Sequence, residues 1–303
     1  MDPFSGDSRD SEGGGQVQLI ILSGKGGTGK TTVAASFAYL HEKSIKVDCD
    51  VEAPNLHMIL RGTRVEENPF FGAKTAKIDP ESCMRCGACA RVCRFDAIAD
   101  FQVDGLKCEG CAACTVVCPY QAVSLQEEAT GKTIITRTEQ GILSHAEMEI
   151  GAEGSGKLVT EVRKNAGRYG NNQEMILLDG SPGVGCPVMA SITGCDAALI
   201  VVEPTQSGRA DFLRLLELIR FFRVKPFVCV NKYDLNEPVT REIERVCRAE
   251  KVPVIGEIPF DPLVKQAVNE LKPVVLFPES VAGKQIIMIW NRLKMKLKEE
   301  NLQ

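Results

Sequence analysis

Eight of the thirteen cysteines in this 303-residue sequence lie in two short runs with identical spacing. The two runs are Cys83, Cys86, Cys89, Cys93 and Cys108, Cys111, Cys114, Cys118. This is the spacing of bacterial iron–sulfur ligands, in which the fourth cysteine of each run binds the other cluster. We therefore predict that one [4Fe–4S] cluster is held by Cys83, Cys86, Cys89 and Cys118. The second would be held by Cys93, Cys108, Cys111 and Cys114.

The two cysteine runs differ in the residue that follows them. Pro119 follows the second run, whereas Arg94 follows the first. Because charge near a cluster tunes its reduction potential, we expect the two clusters to be unequal. Structural zinc is the alternative occupant of paired cysteines, although two four-cysteine runs supply more ligands than a zinc ribbon uses.

A glycine-rich loop follows the first apolar stretch of the chain. It runs Gly24-Lys25-Gly26-Gly27-Thr28-Gly29-Lys30-Thr31-Thr32 and matches the phosphate-loop pattern G-x-x-x-x-G-K-[ST]. In such a loop, backbone N–H groups and a helix N-terminus surround the phosphates. Lys30 would reach the outer phosphates, and the Thr31 hydroxyl would bind Mg²⁺. A merely flexible turn is the alternative, which the flanking strand and helix disfavour.

An extra lysine near the start of the loop, Lys25, makes it similar to the deviant Walker A motif of the MinD/ParA class of P-loop ATPases. The resemblance covers essentially all of the chain from Val17 to its C-terminal helix. It implies a homodimer that forms on ATP binding, in which Lys25 reaches the phosphates bound by the partner. Asp50, after the second predicted strand, would orient the attacking water, with Asp48 as a second candidate. Asp179, in the segment Asp179-Gly180-Ser181-Pro182-Gly183, would hold Mg²⁺ through water.

Two segments bear on the choice of nucleotide. Asn231-Lys232-Tyr233-Asp234 matches the N-K-x-D pattern with which GTPases bind guanine, but in MinD-type proteins this Asn contacts adenine. Pro259-Phe260-Asp261 resembles the adjacent adenine-side segment, so ATP is expected. The expected catalytic residues are Lys25, Lys30 and Asp50. The expected nucleotide-binding residues are Gly24, Lys25, Gly26, Gly27, Thr28, Gly29, Lys30, Thr31, Thr32, Asp179, Asn231, Pro259, Phe260 and Asp261.

Short β-type runs alternate with helical stretches from Val17 onward, which is typical of a parallel sheet covered by helices. The predicted strands are Val17–Leu22, Ile45–Cys49, Met175–Asp179, Ala197–Val202, Pro226–Asn231 and Val254–Ile258. The predicted helices are Lys30–His41, Leu158–Arg168, Arg209–Phe222, Val239–Glu250, Asp261–Asn269 and Ser280–Glu299. We predict a doubly wound, mostly parallel α/β sheet of the P-loop NTPase type, with its site at the C-terminal ends of the strands. A bacterial-type 2[4Fe–4S] ferredoxin domain would be inserted into it.

Four segments follow from this organisation. Residues 1–15, rich in Gly, Ser and Asp, are expected to be a disordered leader or tag. Residues 16–77 and 127–303 would form the ATPase domain, and residues 78–126 the inserted domain. Within the insert, Cys83–Ile98 repeats as Cys108–Val123. Lys132–Arg137 and Leu143–Glu149 would return the chain to the main sheet.

The composition of the chain limits the classes of partner that we expect for it. A net charge of −4 argues against nucleic-acid binding through bulk positive charge. Because no apolar run approaches the roughly 18 residues that span a bilayer, we expect a cytoplasmic protein. In that reducing compartment, clustered cysteines bind metal rather than form disulfides. An apolar stripe on the last helix is expected to pack on the sheet, with membrane contact as the less favoured alternative; it consists of Ile286, Trp290, Leu293 and Leu297.

Five cysteines lie outside the two runs. Cys49, Cys229 and Cys247 are expected to be buried core residues. Cys186 falls in the loop where the nitrogenase iron protein carries a ligand for a cluster that bridges its dimer. Cys195 is the one candidate for a second ligand to such a cluster.

The expected function is ATP hydrolysis that gates electron transfer through two clusters to an unknown redox partner protein. An iron–sulfur cluster carrier ATPase and a MinD-like positioning ATPase with redox-sensing clusters are the alternatives. Chains of this type are often labelled cobyrinic acid a,c-diamide synthase by similarity. That amidotransfer would need a glutaminase site, for which the three histidines, His41, His57 and His145, offer no setting.

Overall fold

The computed structural model describes residues 16–150, 152, 155–170 and 175–300, so the leader predicted at residues 1–15 lies outside the described residues. The strands are β1 Val17–Leu22, β2 Ser44–Asp48, β3 Gly62–Ile78, β4 Ile98–Ala99, β5 Gln102–Val103, β6 Val123–Thr138, β7 Gly141–Met148, β8 Met175–Asp179, β9 Ala197–Val202, β10 Lys225–Asn231 and β11 Val254–Ile258. The helices are α1 Lys30–Leu40, α2 Leu56–Ile59, α3 Ala88–Val92, α4 Ala113–Val117, α5 Gly156–Gly167, α6 Cys186–Ile192, α7 Gln206–Phe221, α8 Glu237–Ala249, α9 Pro262–Asn269 and α10 Val281–Glu300.

The main sheet has the strand order β11-β10-β9-β1-β8-β2-β7-β6-β3. Every pair from β11 to β7 is parallel, and β6 and β3 extend the sheet as antiparallel strands. The mostly parallel α/β sheet predicted from the sequence is therefore confirmed. Four of the six predicted strands have the predicted bounds, and β2 and β10 differ by one residue at an end.

The central parallel strands β1, β8 and β9 are mostly apolar because both faces of the sheet are covered by helices. Successive residues of β1 belong to opposite cores: Ile20 and Leu22 pack in one, and Leu19 and Ile21 in the other. All four are fully buried. This alternation is what a strand with helices on both sides requires.

The last helix, α10, packs on one face of the sheet. Its predicted apolar stripe is buried there, and the Trp290 ring lies 4.7 Å from that of Phe37 in α1. The stripe therefore contributes to the core, as predicted, and is not a free apolar face for a membrane. No helix within the described ranges combines the length and the apolar character needed to cross a membrane.

The antiparallel strands β3 and β6 form a long ribbon that was not predicted as such. They pair from Gly62 with Thr138 to Ile78 with Val123. The neighbouring strand β7 pairs with β6 only as far as Met148 with Gly131, so the ribbon continues beyond it as two strands. Because β7 is parallel to β2, the ribbon leaves the sheet at the C-terminal ends of the parallel strands.

The cysteine segment, residues 79–122, closes the end of this ribbon. It contains α3, α4 and the small β4–β5 hairpin. The predicted repeat is visible in its backbone, since α3 and α4 are displaced by 25 residues along the chain. Left-handed φ angles recur at the same displacement: Arg85 with Gly110, Gly87 with Ala112, and Asp96 with Gln121. Cys89 and Cys114, the third cysteine of each run, are both buried.

Candidate functional site

Five neighbouring strands, β10, β9, β1, β8 and β2, end at one edge of the sheet, and polar side chains gather there. The glycine-rich loop follows β1, and Asp179 ends the adjacent β8. Asp48 ends β2, Glu203 follows β9, and Asn231 ends β10. The carboxyl ends of parallel strands are the usual ligand-binding edge of such a sheet. The loop motif and the acidic residues predicted from the sequence are thus brought together.

The glycine-rich loop is held tightly against its surroundings. Gly27 and Gly29 have left-handed φ angles of 78° and 89°. A Cβ atom on Gly24 would lie 2.4 Å from the Cβ of Asp211 in α7. The side chain of Asn231 donates a hydrogen bond of 2.7 Å to the Thr28 carbonyl. The loop therefore needs glycine at these positions, and α1 begins at Lys30 directly after it.

Lys30 is buried between two carboxylates. Its Nζ lies 2.5 Å from Asp179 Oδ1 and 3.7 Å from Asp50 Oδ2. Burial by itself would lower the pKa of Lys30, but the charge and hydrogen bond of Asp179 and the charge of Asp50 raise it. Lys30 is therefore a fixed positive charge at the mouth of the loop.

One buried oxygen atom beside Lys30 is unsatisfied. Asp179 Oδ2 makes no hydrogen bond to any residue that the structure describes, while Oδ1 of the same carboxylate contacts Lys30. An unpaired buried oxygen is costly, and a hydrated divalent cation would supply a partner for it. Thr31 Oγ1, which lies 3.5 Å from Lys30 Nζ, adds a second oxygen. These two oxygens are donors that Mg²⁺ prefers, so the residues present fit the ion.

Asp48 and Asp50 have different environments. Asp48 is fully buried, and its two carboxylate oxygens accept hydrogen bonds from the backbone N–H groups of Asp50 (3.1 Å) and Leu56 (3.0 Å). Burial and the charge of Asp179 raise the pKa of Asp48. The carboxylate of Asp50 instead faces Lys30. Of the two aspartates, Asp50 therefore has the geometry expected of a group next to the outer phosphate.

Lys25 is held by a carboxylate that the sequence analysis did not single out. Its Nζ lies 3.3 Å from Glu203 Oε2 and 3.2 Å from Thr205 Oγ1. Lys232 Nζ donates a 2.7 Å hydrogen bond to the other oxygen of Glu203. Burial by itself would raise the pKa of Glu203, but the two lysines lower it. Its place directly after a parallel strand beside β1 was the signal that could have identified Glu203.

The segments predicted to contact the nucleotide base make hydrogen bonds within the protein. Asp234 Oδ1 accepts a 2.7 Å hydrogen bond from the Phe260 N–H. Asp261 caps α9 through the Leu263 N–H and also accepts a hydrogen bond of 2.6 Å from Ser280 Oγ. Both oxygens of Asp261 are thereby engaged, whereas the Phe260 side chain is half exposed. Pro259 precedes Phe260 at the same edge of the sheet.

The eight clustered cysteines line two separate cavities, four in each. The distal cavity, at the ribbon end beside Ile78 and Val123, is lined by Cys83, Cys86, Cys89 and Cys118. The proximal cavity, beside Ala76 and Leu125, is lined by Cys93, Cys108, Cys111 and Cys114. These are the two sets that the spacing predicts, including the exchange of the fourth cysteine. The exchange arises because Cys93 and Cys118 lie at the far ends of α3 and α4.

The two cavities are similar in size. Including the space open to solvent, they enclose about 310 and 340 Å³. In each, one sulfur accepts a backbone hydrogen bond, from the Ala122 N–H to Cys118 Sγ (3.3 Å) and from the Ala76 N–H to Cys108 Sγ (3.4 Å). Among the described residues, no three potential ligands converge on a point suited to a single metal ion. Each set is therefore defined as the four cysteines that line one cavity.

The five other cysteines lie outside the two cavities. Cys49, Cys229 and Cys247 are fully buried, as predicted, and burial raises the pKa of Cys247 to about 11. Cys186 is exposed at the start of α6. Cys195 is buried and donates to the Ser191 carbonyl at 3.3 Å. Cys186 is thus open to solvent whereas Cys195 faces the protein interior, and a bridging cluster that uses both stays a prediction.

Comparison with known proteins identifies the nucleotide-site scaffold. Residues 19–274 match the CobQ/CobB/MinD/ParA nucleotide binding domain. The chain belongs to this family. An uncharacterized protein of Methanocaldococcus jannaschii is 38% identical over 224 residues, which cover 73% of this chain and 79% of that protein. The expectation of a MinD/ParA-type P-loop protein is therefore confirmed.

Other members of the CobQ/CobB/MinD/ParA family match more of the chain at lower identity. The iron-sulfur cluster carrier protein of Pyrococcus abyssi is 25% identical and covers 98% of this chain and 92% of its own length. The structure of the septum site-determining protein MinD of Pyrococcus horikoshii OT3, complexed with Mg-ADP, superimposes with a TM-score of 0.60. It is 20% identical and covers 95% of this chain and 99% of that chain, which shows a shared fold.

Proposed function

We propose that this protein is an ATP-hydrolysing dimeric switch that controls electron transfer through two [4Fe–4S] clusters. Residues 16–77 and 127–303 form the ATPase domain, and residues 78–126 form an inserted ferredoxin-like domain. The observation that carries the proposal is the pair of four-cysteine cavities on a ribbon that leaves the sheet at the edge of the phosphate loop. The ribbon strand β6 is four strands from β1, or about 19 Å at the usual strand spacing.

The nucleotide half of the proposal rests on the loop and its lysines. Backbone N–H groups of Gly26–Thr31 bind the phosphates, and Lys30 offsets the charge of the outermost one. Asp50 orients the attacking water, while Asp179 and Thr31 hold Mg²⁺, which when bound neutralises developing phosphate charge. In the dimer, Lys25 leaves Glu203 and reaches the partner's phosphates. Asn231, Pro259 and Phe260 contact the base.

We infer that adenine is the preferred base because the chain belongs to the CobQ/CobB/MinD/ParA family, whose MinD-type members contact adenine at the place of Asn231. The half-exposed Phe260, whose N–H donates to Asp234 Oδ1, lies at the same edge of the sheet. We expect ATP to bind more tightly than GTP in a competition titration. Tighter binding of GTP would contradict the assignment.

The cysteine cavities support the cluster half of the proposal. Four sulfur ligands per cavity are what each [4Fe–4S] cluster requires, and when bound the clusters supply one-electron redox chemistry. The backbone N–H groups of Ala76 and Ala122 stabilise negative charge on two of the sulfurs. Iron counting after anaerobic purification should give about eight irons per chain. Zinc in place of iron would refute this half.

A continuous set of contacts connects the two halves. The loop after Asp179 leads directly into α6 at Cys186, and a Cβ atom on Gly156 of α5 would lie 3.2 Å from the Cys186 carbonyl. The next residue, Lys157, donates a 3.0 Å hydrogen bond to the Phe71 carbonyl in the ribbon and lies 5.5 Å above the Phe70 ring. Rearrangement of the loop on hydrolysis would therefore displace α6, α5 and the ribbon in turn.

The coupling is tested by an EPR redox titration with ADP, with a non-hydrolysable ATP analogue and without nucleotide. We expect the cluster midpoint potentials of the unaltered protein to depend on the nucleotide. Lys157→Met should remove most of this dependence while leaving iron content and ATP hydrolysis unchanged. Lys164→Met, on the same helix with its side chain 73% exposed, is the matched control. Potentials that ignore the nucleotide would refute coupling.

Cluster delivery is a second candidate function. It is favoured by the exposure of Cys86 and Cys111, one in each set, and by the name of the Pyrococcus abyssi relative. A carrier would lose its iron to an apo-acceptor protein within minutes, whereas an electron-transfer protein would keep it. Mixing with an apo-ferredoxin followed by gel filtration and iron counting separates the two.

A further inference from the structure

The two halves of the cysteine segment are related by the 25-residue repeat in backbone but not in charge. The first half, residues 83–98, carries three arginines and one aspartate, a net charge of +2. The second half, residues 108–123, carries a single glutamate, a net charge of −1. The equivalents of Arg85, Arg91 and Arg94 are Gly110, Val116 and Pro119. The positive charge therefore belongs to one half of the segment and is not part of the repeated scaffold.

All three arginines are exposed; Arg85 and Arg91 lie beside the distal cavity, whereas Arg94 follows Cys93 of the proximal set. Arg85 lines the distal cavity, and its guanidinium lies 5.7 Å from the centre of the Phe101 ring. Arg91 donates a 3.2 Å hydrogen bond to the carbonyl of the exposed ligand residue Cys86. No carboxylate within the described residues forms an ion pair with any of the three arginines, so their charge is directed to solvent.

Apolar side chains lie among these charges. Met84 and Tyr120 both line the distal cavity, and they are 67% and 50% exposed. At the equivalent of Met84, the proximal half has Glu109, which lines its own cavity. Exposed apolar groups among like charges are typical of a protein-docking surface. We call Met84, Arg85, Arg91 and Tyr120 the basic face.

The basic face lies at the outer end of the molecule. The distal cavity adjoins Ile78 and Val123, the last pair of the ribbon. The proximal cavity adjoins Ala76 and Leu125, a pair that lies two residues nearer the sheet on each strand. A partner can therefore approach the distal cysteines without meeting the ATPase sheet. The proximal cysteines lie between the basic face and the rest of the protein.

We propose that the basic face docks an acidic electron-carrier protein and that the distal cysteine set is the point of electron exchange with it. The inference rests on the proposed cluster function and adds the chemistry of the partner. On docking, the reduced carrier loses one electron and the iron held by the distal set gains it, with no bond formed or broken. Complementary charge would steer the encounter and make it depend on ionic strength.

The test uses the iron-loaded full-length protein and a purified acidic [2Fe–2S] ferredoxin as the probe, with binding measured by surface plasmon resonance. We expect binding that weakens steeply as salt is raised from about 0.01 to 0.15 M. Each of Arg85→Gln and Arg91→Gln should weaken binding about fivefold at low salt and reduce the salt dependence. Val116→Gln, at the position equivalent to Arg91, should leave both unchanged.

Iron content and visible absorbance are measured first for every variant. A protein without iron refutes the proposed function itself. An iron-loaded protein that fails to bind the acidic ferredoxin overturns the docking inference alone. So does one that binds a basic cytochrome c more tightly, or one whose affinity is the same in Arg85→Gln. Arg85 makes no hydrogen bond or ion pair within the described part of the chain and contacts only the Phe101 ring, so its loss tests charge with little effect on the fold.

Discussion

Removal of the Glu203 carboxylate should promote ATP-dependent dimerisation, because Glu203 holds Lys25 within its own protomer. The two side chains are 17% and 32% exposed, and their charged atoms are 3.3 Å apart. A partly exposed pair of this kind contributes about 0.5–1 kcal/mol. Each dimer must break two such pairs, which costs about 1–2 kcal/mol in total. Glu203→Gln should therefore tighten the dimer about 5–30-fold.

The measurement is sedimentation velocity over a range of protein concentrations with a non-hydrolysable ATP analogue. Lys232→Met is the matched control, because it leaves Glu203 with Lys25 as its sole cationic partner among the described residues. That variant should dimerise no more tightly than the unaltered protein. If Glu203→Gln leaves the dimer unchanged or weakens it, Lys25 is not restrained in the way we describe.

Two further predictions concern the cysteine segment and the buried histidine. Gly110→Ala should halve the iron content to about four per chain, because Gly110 has φ of 59° and its added Cβ would lie 2.2 Å from the Lys74 carbonyl oxygen. Gly105→Ala, whose Cβ would meet a single atom at 4.0 Å, is the control, and equal iron in both variants would contradict the reasoning. His145 is buried and stacked on His57, and burial lowers its pKa to about 4. Because the unfolded state binds this proton more readily, stability is lost as pH falls from about 6.5 towards 4, by about 2 kcal/mol at pH 5. Urea unfolding at pH 7.5 and at pH 5, followed by the fluorescence of the single tryptophan, Trp290, should show that loss of stability. His145→Asn should make the loss smaller. An equal loss in the variant and the unaltered protein would mean that groups other than His145 cause it.

The parallel part of the sheet could be predicted from sequence because its strands are apolar on both faces. In β9, for example, every residue from Ala197 to Val202 is buried, so a short continuous apolar run marks the whole element. The phosphate loop and the cysteine runs could be predicted for a different reason. Their spacing is itself set by the group that they bind.

The long β3–β6 ribbon could not be predicted because the sequence of β3 shows no hydrophobic pattern typical of a strand. Most of its side chains are exposed, and it contains Pro69 and bulges near Phe70, so neither apolar alternation nor a continuous apolar run appears. Its strands are held by backbone pairing, which leaves no periodic trace in the side chains. The Asp261–Ser280 hydrogen bond and the Glu203–Lys25 ion pair were also hidden, since each joins residues that are distant in sequence.

The closed end of the ribbon has an evolutionary consequence. The chain enters and leaves the cysteine segment at adjacent points, where Ile78 pairs with Val123 and the Asp79 N–H donates a 2.8 Å hydrogen bond to the Ala122 carbonyl. A module attached through such a narrow neck can be gained or discarded by an ancestral gene without reworking the scaffold beneath it. The cysteine segment can thus be transplanted as a cassette, with a tight hairpin turn as its simplest substitute.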